Sequence, residues 1–180
     1  MAKLYCDNSM TVEIAEQYLS CDAATGQLRW TRRHGRGCVG ALAGTKARNG
    51  YIRIKFLGRE YSAHRLIWMM HFGSWPEKAL DHINGDKADN RIENLRLATT
   101  AQNAWNMKAK TGAASQFRGV CFIHHLNKWR AQLTANKVTH PLGYFAREQD
   151  AALAYDAKAR IVYGAFARLN FPTLIAKSLP

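Results

Sequence analysis

The sequence lacks any hydrophobic run of the length that a membrane span requires. A transmembrane helix needs roughly 18 to 20 consecutive apolar residues, and no stretch of the 180 residues comes close to that length. The N-terminus also lacks the apolar core of a secretory signal. We therefore expect a protein without a membrane partner that is made and kept in a cytoplasm.

Cysteine is scarce and irregularly placed. The chain has four cysteines, at Cys6, Cys21, Cys38 and Cys121, and no C-x-x-C pair. Zinc sites and small disulfide frameworks both depend on closely spaced cysteines. We therefore expect reduced thiols and no structural zinc.

Acidic residues are few, and they are concentrated in the middle of the chain. The chain has 13 Asp and Glu residues and 26 Lys and Arg residues, which gives a net charge of +13. Segments 1–60 and 115–172 each carry +5, whereas segment 61–114 carries +2 and holds five acids. This distribution suits a protein whose two flanking segments bind a polyanion, while its central segment supplies the carboxylates. The alternative is a basic surface that serves only solubility.

Local patterns predict an α+β fold. In the N-terminal region we expect a helix over 11–19, capped by Thr11, and strands over 27–31 and 51–57. In the strand over 51–57, buried residues alternate with Arg53 and Lys55, which gives it a basic face. A helix over 64–72, strands over 80–83 and 91–97 and a helix over 100–108 should follow, the last opened by a Thr-x-x-Gln capping box.

The C-terminal region predicts a three-stranded antiparallel sheet packed on one helix. A polar stretch over 108–115 is the best linker candidate. Strands are expected over 119–123, 128–134 and 142–145, and a helix over 148–163. In the middle strand Trp129, Ala131 and Leu133 should pack on the helix. The alternate residues of this strand should face outward. They are Lys128, Arg130, Gln132 and Thr134.

Residues 81–106 read DHINGDKADNRIENLRLATTAQNAWN, which resembles the ββα-metal motif of HNH endonucleases of the phage and intron homing type. The match includes Asp81-His82, the Asn94-Leu95-Arg96 triplet twelve residues after His82, and Asn103 nine residues further on. It extends upstream through Gly50-Tyr51 and the segment Ala63-His64-Arg65-Leu66. The resemblance implies β-hairpins followed by a His-Me finger nuclease core.

The resemblance also implies site residues whose chemistry suits phosphodiester hydrolysis. Asp81 and the side-chain oxygen of Asn103 would hold one Mg²⁺ (or Mn²⁺), which prefers oxygen ligands and keeps several waters; Asn106 is the rival ligand. His82 would be the general base, because an imidazole titrates near neutral pH. Asn94 would position the loop that carries His82.

Two points in this assignment stay open at the level of the sequence. Adjacent strand residues point to opposite faces, so Asp81 and His82 can share one phosphate only if the strand ends or twists there, which Asn84-Gly85 favours. His64 and Arg65 are candidates for phosphate contact, with a structural role as the alternative.

Residues 117–172 contain FRGV, KWRAQL, LGYF, AALAYDAKAR and ARLNFP, which resemble the Apetala/ethylene-response-factor (AP2/ERF) DNA-binding domain. That family lays a three-stranded sheet in the major groove. The DNA-facing set would then be Arg118 with Lys128, Arg130, Gln132 and Thr134. The chain departs from the family at Cys121, Phe122 and Ile123 and at Thr139 and Pro141, where further Arg and Trp are usual, so its sequence preference should differ.

The sequence thus predicts a monomeric, site-specific DNA endonuclease that nicks duplex DNA. Its expected parts are a basic β-rich DNA-contacting region (1–60), the nuclease core (61–110), a linker (111–115), the second DNA-binding domain (116–172) and a tail (173–180). The alternative is a DNA-binding regulator with a relic nuclease core. An RNA-binding module is a weaker alternative, because the chain lacks an aromatic stacking platform of the usual kind.

Overall fold

A computed structural model describes residues 10–35, 37–106 and 115–172. The chain forms two compact units that divide between Thr99 and Thr100. The predicted core ended later, at residue 110. Four predicted features lie outside the described residues. They are most of the linker (111–114), the tail (173–180), the end of the helix expected to reach Lys108, and Cys6.

The first unit consists of small antiparallel sheets around a central helix. Its described elements are α1 Val12–Glu16, β1 Leu19–Asp22, β2 Gln27–Trp30, β3 Thr45–Lys46, β4 Ile52–Phe56, β5 Arg59–Ser62, α2 Ala63–Phe72, β6 Ala79–His82, a 3₁₀ turn Ile92–Asn94, and β7 Leu95–Ala98. The strands pair as β1–β2, β3–β4–β5 and β6–β7. One apolar core holds α1, α2 and the first two sheets together, and its largest buried side chains include Leu19, Ile54, Phe56, Leu66 and Ile67.

The N-terminal helix is shorter than its sequence pattern suggests. Thr11 caps it as predicted, its hydroxyl accepting from the Ile14 amide at 3.4 Å. The prediction that the helix extends to Leu19 is wrong, because α1 ends at Glu16 and Leu19 opens β1 opposite Trp30. The buried Leu19 fits the period of either element, so pairing with β2 decides the outcome.

The predicted basic hairpin is confirmed. Strands β4 and β5 pair around a turn at Leu57 and Gly58, both with positive φ, 52° and 74°, as two-residue hairpin turns require. Ile54 and Phe56 are buried, whereas Lys55 is exposed. The two-faced character of this strand follows from its alternation.

The β1–β2 turn packs directly against the segment that follows the β6 loop. The Ile92 amide donates to the Ala23 carbonyl at 2.9 Å. Gly26 has a φ of +69°, and a Cβ there would lie 2.3 Å from the Arg91 nitrogen. Only glycine allows both the left-handed backbone and this close approach.

Gly26→Ala should therefore destabilise the first unit by about 2–5 kcal/mol, since the left-handed backbone costs an L-residue about 1–2 kcal/mol and overpacking typically about 1–3 kcal/mol. Gly40 is the matched control: its φ is +80° but nothing lies within 4 Å of an added Cβ. Urea unfolding should show that Gly40→Ala lowers the free energy of unfolding only by the cost of the left-handed backbone. Equal losses in the two variants would contradict the close packing at Gly26.

The second unit is the predicted three-stranded sheet packed on one helix. Its described elements are α3 Thr100–Trp105, β8 Val120–Ile123, a 3₁₀ turn His124–Leu126, β9 Lys128–Ala135, β10 Val138–Phe145, α4 Glu148–Tyr163 and a 3₁₀ turn Gly164–Phe166. The strand order is β10–β9–β8, all antiparallel. Ala131 and Leu133 of β9 pack against α4 residues, as predicted.

A buried carboxylate ties the end of the described chain to this unit. Asp156 of α4 is 1% exposed and accepts from the Asn170 and Phe171 amides, each at 2.8 Å. Asn170 in turn accepts from the Arg118 amide at 2.7 Å. These hydrogen bonds offset the cost of burying a polar group, so this network fixes the segment before β8 on the helix.

The thiols of Cys21, Cys38 and Cys121 are unpaired within the described ranges. None of the helices described is long and apolar enough to cross a bilayer.

Candidate active site

Asp81 and His82 are the last two residues of β6. Strand β6 pairs with β7 so that Asp81 lies opposite Arg96 and His82 opposite Leu95. The chain leaves the strand at Ile83, and the Gly85 amide closes a turn on the His82 carbonyl at 2.8 Å. The strand ends where the sequence prediction required it to end. All three residues Leu80, Asp81 and His82 are buried.

Asn94 fixes the loop over residues 83–91. Its side-chain amide donates to the Asp89 carbonyl at 2.7 Å and to Asn84 Oδ1 at 3.1 Å. Its Oδ1 accepts from the Asn84 amide at 3.0 Å. Asn94 is 6% exposed, so these bonds are shielded from water and hold both ends of the loop.

Ion pairs of Arg91 also stabilise the loop over residues 83–91. The Arg91 guanidinium pairs with Asp89 at 2.8 Å and with Glu93 at 2.6 Å. The hydrogen bond from Arg91 is the main reason that the pKa of Asp89 is lowered to about 2. Asp89 is therefore ionised at any physiological pH, and its backbone carbonyl stays in place for Asn94.

His82 is held by a residue that the sequence analysis did not assign. Its Nε2 lies 3.1 Å from Asn90 Oδ1, and both side chains are buried. An amide oxygen can only accept, so this contact places the proton on Nε2 and leaves Nδ1 as the basic nitrogen. Asn90 lies within residues 81–106, the segment that carries the resemblance, and this was the available sequence signal.

Two further rings surround His82. The His64 ring centroid lies 5.2 Å from that of His82, and the Tyr51 ring lies 5.9 Å from His82 and 5.2 Å from His64. Burial, followed by the charges of His82, Arg65 and Arg53, lowers the pKa of His64 to about 3. A neutral, 8% exposed His64 favours the structural alternative over the phosphate contact.

Asp81 is paired with Arg96. Arg96 Nε and one terminal nitrogen donate to Asp81 Oδ2 at 2.9 and 2.7 Å, and the side chains are 10% and 17% exposed for Asp81 and Arg96. Burial raises the pKa of Tyr51, and the Asp81 carboxylate adds to that rise. The Tyr51 ring also lies beside His82.

The two predicted metal ligands belong to different units, Asp81 to the first and Asn103 to the second. Asn103 lies on α3, and its Oδ1 is buried with no hydrogen-bond partner among the described residues. Its rival Asn106 is also buried, but it has a partner. No three His, Cys, Asp or Glu side chains gather as a metal cluster in residues 10–35, 37–106 and 115–172. A carboxylate and an amide oxygen suit an ion that keeps most of its waters.

The predicted DNA-contacting residues of the first unit differ in their surroundings. Arg53 donates to Ser62 Oγ at 2.7 Å and is half-buried. The guanidinium carbon of Arg65 lies 5.7 Å from the Trp75 ring centre. Lys55 is exposed on β4.

In the second unit, Arg118 has a different environment from the one predicted. Its guanidinium donates to the carbonyls of Trp105 at 2.5 Å and Ala104 at 3.1 Å, which satisfies the last carbonyls of α3. The DNA contact of Arg118 stays a prediction. Within that set Lys128 and Thr134 are exposed, and Arg130 and Gln132 are half-buried.

Comparison with known proteins agrees with this geometry. Residues 61–105 match the family described as HNH endonuclease, so this segment is an HNH endonuclease domain. Protein 3.8 of Escherichia phage T7 is 30% identical over 109 residues, which are 59% of this chain and 88% of that protein. The chain belongs to the family of that phage protein. "Uncharacterized HNH endonuclease L560" of Acanthamoeba polyphaga mimivirus is 34% identical over 109 residues, 59% of this chain and 56% of the viral protein.

Proposed function

We propose that this protein is a site-specific DNA endonuclease of the homing type, which nicks duplex DNA with one divalent ion per active site. The observation that carries the proposal is the hairpin end at Asp81-His82, where a buried imidazole is oriented by Asn90 beneath a loop fixed by Asn94. The HNH endonuclease match over residues 61–105 supports the same reaction class.

His82 is the proposed general base. With Nε2 committed to Asn90, its Nδ1 accepts the proton of the attacking water. The buried ring cannot rotate without losing that hydrogen bond, so the base is preorganised. Asn94 is a positioning residue that acts through the loop backbone. Asn90 joins it in that role by holding the imidazole itself.

Asp81 and Asn103 would hold the Mg²⁺ (or Mn²⁺). A divalent ion bound there would offset negative charge on the leaving oxygen. The orphaned Oδ1 of Asn103 supports its choice over Asn106. Arg96 fixes the orientation of the Asp81 carboxylate through two hydrogen bonds to one oxygen.

We further propose that residues 116–172 form an AP2/ERF-like second DNA-binding domain. The support is the three-stranded sheet on one helix, with Lys128, Arg130, Gln132 and Thr134 on the face opposite the buried Ala131 and Leu133. Arg and Gln side chains can read guanine and adenine in the major groove. The proposed protein also has the basic region 1–60, the nuclease core 61–110 and the linker 111–115. It acts as a monomer in the cytoplasm of a host cell.

The metal requirement is the first test of this function. Purified protein in Mg²⁺ should cut duplex DNA, and EDTA should abolish cutting while leaving the affinity measured by gel shift within about twofold, because phosphate contacts supply the affinity. Excess Mg²⁺ added after EDTA should restore cutting. Tight binding with no cutting in Mg²⁺ or Mn²⁺ would favour the regulator with a relic core.

A further inference from the structure

Lys87 is an exposed side chain with a fixed position. It lies in the loop between β6 and β7, and its ammonium donates to the Asn49 carbonyl at 3.2 Å. Its aliphatic stem runs past Gly50, 3.6 Å from where a Cβ would stand. An exposed lysine ordinarily samples many rotamers, at an entropic cost when it is ordered. Here the backbone before β4 orders it.

The ring of Tyr51 is the common support of Lys87 and His82. The Lys87 ammonium lies 4.7 Å from the Tyr51 ring centre, within the range of a cation–π contact. The same ring centre lies 5.9 Å from the His82 ring. A cation and the proposed general base are therefore tied to one side chain.

The charge on Lys87 is uncompensated in the part of the chain that the structure describes. No described carboxylate pairs with its ammonium, whereas Arg91 and Arg96 are both engaged by acids. An ammonium has three donors, and the Asn49 carbonyl takes one. The Arg53 guanidinium carbon lies 5.8 Å from the same Tyr51 ring centre. Two cations thus flank one ring beside His82.

We propose that Lys87 binds a backbone phosphate of the cut strand next to the scissile one, and that Tyr51 is the positioning residue for both Lys87 and His82. This inference rests on the proposed function. Phosphates follow one another about every 3.4 Å of helix axis along a strand, so a cation held on the same ring as the base is expected to reach a phosphate next to the scissile one. Lysine binds phosphate as a point charge.

The test compares Lys87→Ala with Lys78→Ala, the loss of an exposed lysine in the same unit. Affinity for a duplex oligonucleotide is measured by fluorescence anisotropy across a salt series with EDTA present. Loss of one phosphate contact should reduce the slope of log affinity against log salt by about 0.9. Lys87→Ala should show that reduction, Lys78→Ala should keep the wild-type slope, and Lys87→Arg should restore it.

Kinetics separate binding from positioning. Lys87→Ala should raise KM more than it lowers kcat, whereas Tyr51→Leu should lower kcat and also reduce the salt slope. Tyr51→Phe keeps the ring and should behave as wild type in both measurements. A wild-type salt slope in Lys87→Ala would overturn the proposal. Because the slope is measured without cutting, a protein that binds but never cuts would instead count against the proposed function.

Discussion

Replacing His82 with alanine should lower the rate of DNA cutting by about 10²–10⁴-fold, the usual contribution of a general base, and leave DNA affinity unchanged. The imidazole is 4% exposed and its Nε2 is committed to Asn90. The neighbouring His64 is a poor substitute, because burial lowers its pKa to about 3. Single-turnover cutting of a mapped substrate gives the rate, and a gel shift gives the affinity.

The control is His71→Ala, which removes an exposed histidine at the end of α2. It should cut at the wild-type rate. Loss of His82 also leaves Asn90 without its buried partner, at a cost of about 1–3 kcal/mol, so urea unfolding of both variants is needed. A folded His82→Ala protein that cuts at the wild-type rate would contradict the assignment of the base.

Replacing Asp81 with asparagine should be the second large effect, because it removes the carboxylate proposed to hold the ion. We expect cutting to fall below detection at Mg²⁺ concentrations that saturate the wild type, and Mn²⁺ binding, followed by electron paramagnetic resonance, to weaken. Asp86→Asn is the matched control, since Asp86 is exposed in the same hairpin loop.

Asp81→Asn also leaves Arg96 without its carboxylate. Breaking a buried pair costs about 3–5 kcal/mol, and the cost should be smaller here because the two side chains are 10% and 17% exposed. The double variant Asp81→Asn, Arg96→Gln removes both charges and should recover stability without recovering Mn²⁺ binding. Recovery of Mn²⁺ binding and cutting in the double variant would show that Asp81 acts only as the partner of Arg96.

Elements set by local pattern were predictable from the sequence. Helix α4 spans Glu148–Tyr163 as predicted, because small apolar residues recur at helical spacing and Gly164 ends it. Strand β10 begins at Val138, four residues before the predicted start, although Pro141 lies within it. Proline is tolerated there because β10 is an edge strand with a bulge between Pro141 and Gly143.

The motif assigned residues to the site, and their roles stay predictions. In the structure Asp81 and His82 lie at the end of β6, and Asn94 holds the loop that follows. The supports of the site were not predicted, because each depends on a contact that forms only in the folded chain. Tyr51 reaches His82 from β4, and Asn90 becomes a partner of His82 only when the loop folds back. Periodicity carries no information about such contacts.

Arg118 illustrates the same limit. The sequence placed Arg118 in the DNA-facing set but did not indicate that its guanidinium donates to the carbonyls of Ala104 and Trp105. Trp105 also stacks on Tyr163, with ring centroids 4.8 Å apart. The linker-like sequence after α3 did not indicate that α3 packs on this unit. That packing determines the contacts of the Arg118 guanidinium.

The most direct measurement maps new strand ends in DNA. Wild-type protein and His82→Ala are each incubated with phage and bacterial genomic DNA in Mg²⁺ and in EDTA, and the ends are sequenced. The account predicts ends that recur at one sequence with wild-type protein in Mg²⁺ and are absent from the other three reactions. Bound but unbroken DNA, or the same ends with His82→Ala, would contradict it.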